Sequence, residues 1–287
     1  MSVPTIQERV ATARQTLCDA GIGAQEAGFS ARVLAEHVLG WSTARYLTSA
    51  HESEPPQFAE RYDVLVARRA AREPSAYITG LKEFWGLPLE VSPAVLIPRP
   101  ETELIVEAAL ERFGRRREAL AVADAGTGSG CLAIALARGL PGASVVATDI
   151  SQDALDVARR NAVRHGVGGR IRFVRADLLA GVDGPFDLIV GNPPYVRTGD
   201  GPALQPEVRD YEPAVALFGG VSGIELVTAL VTQAAARLRP GGTLMFEFGF
   251  GQDEAVEDLL AGTPELVFEE LRRDLQGIAR TAVVTRT

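Results

Sequence analysis

Asp124-Ala-Gly-Thr-Gly-Ser-Gly130 is the stretch that decides the fold. It lies between an apolar run near 119–125, which predicts a strand, and a helical pattern near 130–138. Three closely spaced glycines let the backbone turn sharply from strand to helix and approach a ligand, because no side chain intervenes. By itself such a turn also fits an ordinary strand–helix connection, so its meaning depends on the sequence around it.

The alternation of apolar runs and helical patterns continues towards the C-terminus. Further strands are predicted near 144–149, 171–175, 186–192 and 243–248, and further helices near 151–165, 225–238 and 252–260. The last two apolar runs, near 266–271 and 280–285, are separated only by a short loop through Gly277, so they should pair antiparallel. This order predicts an α/β fold: a seven-stranded, Rossmann-like methyltransferase sheet with an antiparallel last strand.

The first eighty residues predict a separate helical domain. Apolar side chains recur at helical spacing in three stripes: Ile6, Val10, Ala13 and Leu17; Ala31, Leu34, Ala35 and Val38; and Phe58, Tyr62, Leu65 and Val66. No strand pattern interrupts these stripes. We therefore expect a helical, substrate-docking domain over 1–80, a linker hairpin over 81–93 and a methyltransferase domain over 94–287.

Charge and composition restrict the class of protein. The formal net charge of −8 argues against broad attraction to the phosphates of nucleic acids. Cys18 and Cys131 are far apart, which favours a reduced, cytoplasmic protein over a disulfide-stabilised one. No apolar run approaches the roughly 20 residues of a membrane span. The three histidines are scattered, so neither a metal site nor a nucleophile–base pair is predicted.

Acidic residues follow the second and third predicted strands. Asp149 lies about 20 residues beyond the glycine turn, where a carboxylate can accept hydrogen bonds from ribose hydroxyls. Its alternative role, capping the next helix, suits Ser151 better. Asp177 can accept from an adenine amino group, with Leu178 packed either on the base or in the core. An adenosine-containing cofactor, S-adenosylmethionine or a nicotinamide dinucleotide, is predicted at these residues and at Gly126, Thr127, Gly128, Ser129 and Gly130.

Asn192-Pro-Pro-Tyr195, at the end of the fourth predicted strand, indicates the chemistry. An amide nitrogen is a poor nucleophile because its lone pair is delocalised, so it must be held in line with the methyl donor. The side-chain oxygen of Asn192 and the carbonyl of Pro193 can accept its two N–H groups, and Tyr195 offers a planar stacking face. The same acceptors would stabilise the positive charge that develops during transfer. The predicted catalytic residues are Asn192, Pro193, Pro194 and Tyr195.

Several segments together resemble the HemK/PrmC family, the N5-glutamine methyltransferases of class 1 peptide chain release factors. They are Arg72-Glu-Pro-Ser-Ala-Tyr-Ile-Thr-Gly80, Glu83-Phe-Trp-Gly86, Leu96-Ile-Pro-Arg-Pro-Glu-Thr-Glu103, Asp124 to Gly130, Asn192-Pro-Pro-Tyr195, Glu207-Val-Arg-Asp-Tyr-Glu-Pro213 and Leu238-Arg-Pro-Gly-Gly242. The resemblance extends from about residue 68 to the C-terminus, and the segment 96–103 is far more specific than the Asn-Pro-Pro-Tyr motif.

The resemblance implies that S-adenosylmethionine is the methyl donor, with S-adenosylhomocysteine as product, and that the acceptor is the glutamine of the release factor's Gly-Gly-Gln loop. It implies that the cofactor is bound by the glycine turn and by Asp149, Asp177, Leu178 and Asn192. Residues 192–195 would hold the substrate amide, and further substrate-binding candidates are Arg99, Glu101 and Thr102. We expect a cytoplasmic monomer that acts in translation termination, without a metal, a membrane or direct nucleic-acid contact.

Four alternatives share parts of these patterns. A glutamine methyltransferase of a ribosomal protein would have the same fold and the same Asn-Pro-Pro-Tyr loop. An adenine N6-methyltransferase of DNA or RNA also shares that loop, but the negative net charge and the lack of a basic recognition domain in the sequence oppose it. The loop after the fourth strand disfavours a nicotinamide-dependent oxidoreductase. A non-catalytic binding protein would be favoured only by an occluded site.

Overall fold

The computed structural model describes residues 3–115 and 118–287, and the chain divides into two compact units. Unit 1 comprises the chain up to Gly80 together with the distant segment Gln205–Tyr211. Unit 2 comprises Leu81–Leu204 and Glu212–Thr287. The chain therefore leaves unit 2 after Leu204 and returns to it at Glu212.

Unit 1 is helical, as the three apolar stripes predict. Its helices are α1 (Ile6–Asp19), α2 (Ala24–Leu39), α3 (Thr43–Ser49), α4 (Phe58–Ala70), α5 (Ser75–Thr79) and, from the distant segment, α9 (Pro206–Arg209). The stripes form one core in which Leu17, Leu34 and Tyr62 are fully buried, whereas Leu65 is only partly buried. The Tyr62 hydroxyl donates to the carbonyl of Ala31 over 2.8 Å, so its polar end is satisfied inside the core.

A cluster of ion pairs holds the segment Gln205–Tyr211 in unit 1. The guanidinium of Arg69, which is only 1% exposed, lies 2.9 Å from the carboxylate of Glu207, and Arg72 donates to the same carboxylate over 2.7 Å. The hydroxyl of Tyr211 donates to a backbone carbonyl at the end of α4. The predicted methyltransferase domain, 94–287, includes this segment. Contacts between residues 135 positions apart leave no local pattern that would reveal them.

Unit 2 contains the predicted hairpin and an α/β sheet. The hairpin strands are β1 (Leu81–Phe84) and β2 (Leu87–Glu90). The strands of the main sheet are β3 (Leu120–Ala125), β4 (Ala143–Asp149), β5 (Ile171–Arg175), β6 (Phe186–Gly191), β9 (Leu238–Glu247), β10 (Leu266–Arg273) and β11 (Ala279–Arg286). Two short strands, β7 (Val196–Arg197) and β8 (Phe218–Gly220), pair separately. The helices are α6 (Glu103–Phe113), α7 (Cys131–Gly139), α8 (Gln152–Arg164), α10 (Glu225–Arg237) and α11 (Asp253–Ala261).

The main sheet has the strand order β10-β11-β9-β6-β3-β4-β5. β11 is antiparallel to both β9 and β10, and the remaining neighbours are parallel. The predicted seven-stranded methyltransferase sheet with an antiparallel last strand is thereby confirmed. One strand differs from the prediction: β9 begins at Leu238, well before residue 243, and ends at Glu247.

Each face of this sheet has its own hydrophobic core. On one face α6, α7 and α8 pack around residues such as Ile134 and Val145, and on the other α10 and α11 pack around Leu230 and Phe246. None of the helices in residues 3–115 and 118–287 is long and apolar enough to cross a membrane. The parallel strands β3, β4, β6 and β9 all end at the same edge of the sheet, which is where ligands bind in such folds.

Candidate active site

A cavity of about 320 Å³ opens at this edge of the sheet. Its volume lies within the usual range for small-molecule sites. Three stretches predicted to bind a cofactor line it together: the glycine turn, Asp149 and the pair Asp177–Leu178. Asn192 and Pro194 contribute a further wall, as do Arg99 and Thr102. Most of the predicted site residues therefore meet in one place.

The glycine turn takes the conformation that its composition predicts. Gly126, Gly128 and Gly130 all have positive φ, at 75°, 54° and 84°, which is the region that other residues avoid. A β-carbon at Gly126 or Gly128 would meet no other atom within 4 Å, so the backbone there borders open space. A β-carbon at Gly130 would lie 3.1 Å from that of Ala158, so this glycine instead permits close packing of α7 against α8.

The carboxylate of Asp124 stabilises the glycine turn through hydrogen bonds. Its Oδ2 accepts hydrogen bonds from the Thr127 hydroxyl over 2.6 Å and from the backbone N–H of Ala133 over 3.1 Å. Burial of the carboxylate, which is 1% exposed, raises the pKa of Asp124 to about 7. Asp124 belongs to the motif from which the turn was predicted, but no separate role was predicted for it.

Asp149 is fixed by hydrogen bonds from the backbone N–H groups of two other cavity-lining residues. Its Oδ2 accepts from the N–H of Gly128 and its Oδ1 from the N–H of Ser151, each over 2.9 Å. Burial raises the pKa of this carboxyl group, and the backbone hydrogen bonds oppose that change. The capping role belongs to Ser151, whose hydroxyl accepts from the N–H of Ala154 at the start of α8. Asp149 therefore stays available to a ligand through its remaining lone pairs.

Asp177 and Leu178 form the side of the cavity beyond β5. The Asp177 side chain is exposed, whereas Leu178 is 8% exposed and belongs to the hydrophobic core as well as to the cavity wall. Leu178 has a φ of 50°, a conformation that is uncommon for a residue other than glycine and that often marks a functional site. Core packing and cavity lining, which the sequence analysis treated as alternatives for Leu178, thus occur together.

Asn192 is anchored by its amide nitrogen. Nδ2 donates to the hydroxyl of Thr102 over 3.0 Å, and that hydroxyl donates to the carboxylate of Glu247 over 2.6 Å. The hydroxyl of Tyr195, to which the sequence analysis gave no role, donates to the other oxygen of Glu247 over 2.9 Å. The two ends of the Asn192–Tyr195 loop are therefore both held by one buried carboxylate.

Glycines at three separate positions let neighbouring loops pack against Asn192–Tyr195. A β-carbon at Gly219 would lie 2.3 Å from the carbonyl oxygen of Pro194, and one at Gly223 would lie 2.5 Å from that of Tyr195. A β-carbon at Gly249 would lie 3.0 Å from the Tyr195 ring. Sequence reasoning missed these glycines, because only the folded chain shows what each one touches.

Not every predicted site residue lines the cavity. In the described part of the chain, its lining leaves out Gly130, Glu101, Pro193 and Tyr195. Arg99 does line it, but its guanidinium is bound to Glu212 over 2.5 Å, and the same carboxylate accepts from the N–H of Ile97. Arg99 therefore has a partner that fixes the wall of the cavity.

Glu247 is the main residue of the site that the sequence analysis did not name. The register of the parallel pair β6–β9 sets Gly191 beside Phe246, so Asn192 and Glu247 follow at neighbouring strand ends. Burial raises the pKa of Glu247 to about 7, against the lowering effect of hydrogen bonds from Thr102 and Tyr195. The pKa of the Tyr195 phenol is raised as well, first by burial and then by the charge of Glu247. The sequence contained one signal for this role: Glu247 lies near the end of the strand predicted at 243–248.

Within residues 3–115 and 118–287, the structure contains no group of three or more histidine, cysteine, aspartate or glutamate side chains placed to hold a metal ion. The polar groups that line the cavity include hydroxyls, the Asn192 amide, the carboxylates of Asp149 and Asp177, and the guanidinium of Arg99. Such a set is suited to hydrogen bonding with an organic ligand.

Comparison with known proteins agrees with this geometry. Residues 8–80 match the family described as PrmC N-terminal domain, and residues 102–205 match the family described as methyltransferase small domain. A methyltransferase structure from Pyrococcus furiosus superposes with a TM-score of 0.53 at 20% identity, over 78% of this chain and 96% of the other, which supports the fold.

Two bacterial relatives carry the comparison further. The release factor glutamine methyltransferase of Bradyrhizobium diazoefficiens is 43% identical over 98% of this chain and 96% of its own length. The protein of the same name from Geobacter sulfurreducens is 51% identical over 69% of each chain. The resemblance found in the sequence is confirmed, and this chain belongs to the release factor glutamine methyltransferase family.

Proposed function

We propose that this chain transfers a methyl group from S-adenosylmethionine to the side-chain amide nitrogen of the glutamine in the Gly-Gly-Gln loop of a class 1 peptide chain release factor. The observation that carries the proposal is the anchored amide of Asn192 at the wall of a cavity that the glycine turn and Asp149 also line. The names of the relatives support a release factor as the acceptor rather than a ribosomal protein or a nucleic acid.

The residues around the cavity fit S-adenosylmethionine. Gly126 and Gly128 leave room beside the backbone, and Asp149 keeps lone pairs for ribose hydroxyls. Leu178 offers an apolar surface to the adenine ring, and Asp177 an acceptor for its amino group. When bound, the cofactor supplies a methyl group on a positively charged sulfur.

Asn192 and its neighbours would orient the acceptor. The Oδ1 of Asn192 accepts one N–H of the glutamine amide and the carbonyl of Pro193 accepts the other, while Tyr195 remains the proposed stacking face. The lone pair of the amide nitrogen would form the new N–C bond as the S–C bond breaks. The electron pair of the S–C bond would stay on sulfur. The nitrogen then loses a proton to water, so no strong general base is needed. The two acceptors favour the transition state because positive charge grows on the nitrogen that they contact.

Asn192→Ala tests the assignment of this residue. The substitution removes the acceptor, and we expect the single-turnover rate of methyl transfer at saturating cofactor to fall about 10²–10³-fold. Cofactor affinity, measured by calorimetry, should fall much less than this rate. Thr198→Ala serves as the control, because Thr198 follows β7, is exposed and donates its hydroxyl to the backbone carbonyl of Gly220. An Asn192→Ala rate close to that of the wild type would remove Asn192 from the mechanism.

The N-terminal helices of unit 1 are proposed to recognise the release factor. Residues 1–80 contain helical stripes but none of the cofactor or acceptor motifs. A chain starting at Leu81 would deprive Glu207 of Arg69 and Arg72, so point changes give a cleaner test. Leu47→Ser and Phe29→Ser, at side chains 72% and 56% exposed, should raise the KM for the release factor while leaving cofactor affinity unchanged. An unchanged KM in both variants would argue against docking at these side chains.

The cellular context follows from the proposed acceptor. An enzyme acting on release factors works in the cytoplasm, in translation termination. The monomeric state, the independence from metals and the lack of direct contact with nucleic acid or membrane stay predictions. Size-exclusion chromatography with light scattering and an activity assay in the presence of a chelator would check the first two.

A further inference from the structure

A line of hydrogen bonds runs from the cavity wall into the core of unit 2. Asn192 donates to Thr102, Thr102 donates to Glu247, and Tyr195 donates to the second oxygen of Glu247. Thr102 is 2% exposed and Glu247 is 1% exposed, so solvent does not compete for these bonds. The proposed function uses Asn192 and Tyr195 but gives no task to the carboxylate on which both depend.

The hydroxyl of Thr102 determines which end of the Asn192 amide it meets. A hydroxyl has one proton to donate and lone pairs that accept. An ionised Glu247 can only accept, so the Thr102 proton points towards Glu247, and only lone pairs remain for Asn192. The amide must then present its NH2 group to Thr102, and this turns Oδ1 away from Thr102 and leaves it available to the substrate.

We infer that Glu247 is a positioning residue: through Thr102 it selects the one orientation of the Asn192 amide that can accept a hydrogen bond from the glutamine of the substrate. This inference rests on the proposed function. It assigns to a buried side chain, outside the cavity lining, the task of choosing between two amide orientations that have nearly the same shape.

Protonation of Glu247 removes the selection. A neutral carboxyl group can donate its own proton to Thr102, and the Thr102 proton is then free to meet Oδ1 of Asn192. Both amide orientations become possible, and the orientation that accepts from the substrate is no longer selected. Methyl transfer should therefore increase with pH as Glu247 ionises.

The groups around Glu247 place that ionisation in an accessible range. Burial raises its pKa to about 7; hydrogen bonds from Thr102 and Tyr195 and the charge of Arg280 oppose this rise, and the charge of Glu101 adds to it. Cys131, which also faces Glu247, has its pKa raised to about 12, chiefly by burial, and stays a thiol throughout. Burial also raises the pKa of Asp124 to about 7, but its carboxylate bonds to Thr127 and Ala133 in the glycine turn. The part of the pH dependence that Glu247→Gln removes is therefore the part assigned to Glu247.

The test compares Glu247→Gln, Thr102→Val and Thr102→Ser with the wild-type enzyme, using full-length release factor as acceptor. Glu247→Gln and Thr102→Val should each lower kcat about 10- to 100-fold, the scale of a misoriented reacting group, and should lose the rise of kcat with pH. Thr102→Ser keeps the hydroxyl and should restore both kcat and its pH profile. Cofactor affinity should stay within about twofold of the wild type in all of them.

A double variant separates positioning from general damage. Glu247→Gln combined with Thr102→Val should be no slower than Thr102→Val alone, because Glu247 acts on Asn192 only through Thr102 and the side-chain oxygen of Gln can still accept from Tyr195. Glu111→Gln, at an exposed carboxylate paired with Arg272, is the control for loss of a glutamate charge. A wild-type kcat and pH profile in Glu247→Gln, or rate losses that multiply in the double variant, would overturn the inference. A wild-type enzyme that fails to methylate the release factor would instead refute the proposed function.

Discussion

Two of the buried glutamates, Glu207 in unit 1 and Glu247 in unit 2, have pKa values shifted in opposite directions. Glu207 in unit 1 is 7% exposed and Glu247 in unit 2 is 1% exposed. Burial alone would raise the pKa of both. At Glu207 the hydrogen bonds and charges of Arg72 and Arg69 outweigh burial and bring the pKa below its usual value. At Glu247 the direct partners are the neutral hydroxyls of Thr102 and Tyr195, and the pKa rises to about 7.

The difference shows what each carboxylate contributes. When a buried carboxylate is paired with arginine, the attraction between the two charges compensates the free energy of removing them from water. Such a pair also links parts of the chain that are distant in sequence. A buried charge held only by hydroxyl groups weakens the fold at high pH, so its presence calls for a reason other than stability. In this enzyme the first carboxylate fixes the segment Gln205–Tyr211 in unit 1, and the second underlies the Asn192–Tyr195 loop.

The largest change in stability is expected from Arg69→Ala. It leaves Glu207 with a single arginine in a buried position, and the free energy of unfolding of unit 1 should fall by about 3–5 kcal/mol. Urea unfolding followed by the fluorescence of Trp41, in a Trp85→Phe background, reports on unit 1. Arg68→Ala is the matched control, since Arg68 is more exposed and its pair with Glu73 contributes about 0–1 kcal/mol. Equal losses in the two variants would contradict the role given to the Arg69–Glu207 pair.

Glu247→Gln should change how stability depends on pH. The folded pKa of about 7 exceeds the usual 4.5, so the folded state retains a proton that the unfolded state has lost. Glu247 therefore costs stability increasingly as pH rises from 4.5 to 7, up to about 3 kcal/mol, and Gln should remove this part of the decline. Asp124, with a pKa also raised to about 7, leaves a similar slope in the variant. Parallel wild-type and variant curves between pH 4.5 and 8, measured by urea unfolding, would refute this account.

Glu207→Gln should change the pH dependence of the free energy of unfolding in the opposite direction. Its folded pKa is lowered, so its carboxylate contributes stability that is present above the usual pKa and is lost as pH falls through the folded value. The variant should accordingly lose stability at neutral pH and differ less from the wild type in acid. A loss that is largest in acid would mean that the arginine pairs do not stabilise the charged form.

Asp149→Ala is expected to have the smallest effect. Loss of its hydrogen bonds should weaken binding of S-adenosylmethionine by about 1–3 kcal/mol, because charge-assisted bonds to a carboxylate are of this size. Isothermal titration calorimetry measures the change, with Asp153→Ala, at an exposed carboxylate in the first turn of α8, as control. Unchanged affinity in a folded Asp149→Ala protein would exclude Asp149 from the cofactor site.

Much of the fold and of the cavity could be predicted because their signals are local. The glycine turn, Asp149 and Asn192 each stand directly after a strand that its own apolar residues reveal, and parallel strands bring such ends to one edge. The roles of Thr102 and Glu247 could not be predicted in the same way. Their hydrogen bond joins residues 145 positions apart, and its existence depends on the register between β6 and β9.

The segment Gln205–Tyr211 and the glycines around the Asn192–Tyr195 loop escaped prediction for a related reason. Glu207 reads as an ordinary surface residue until Arg69 is placed beside it. Gly219 has no positive φ that would set it apart. Glycine is needed there because a β-carbon would lie only 2.3 Å from the carbonyl oxygen of Pro194. Such requirements appear only once distant loops have been brought together.

The central claim is that the anchored Asn192 amide presents a glutamine side chain for N-methylation. The most direct measurement is tandem mass spectrometry of a release factor after incubation with this enzyme and S-adenosylmethionine carrying a deuterated methyl group. The account predicts one labelled methyl group on the side-chain nitrogen of the Gly-Gly-Gln glutamine, and none when that glutamine is replaced by glutamate. Label on another residue, or equal labelling of the glutamate-substituted factor, would contradict it.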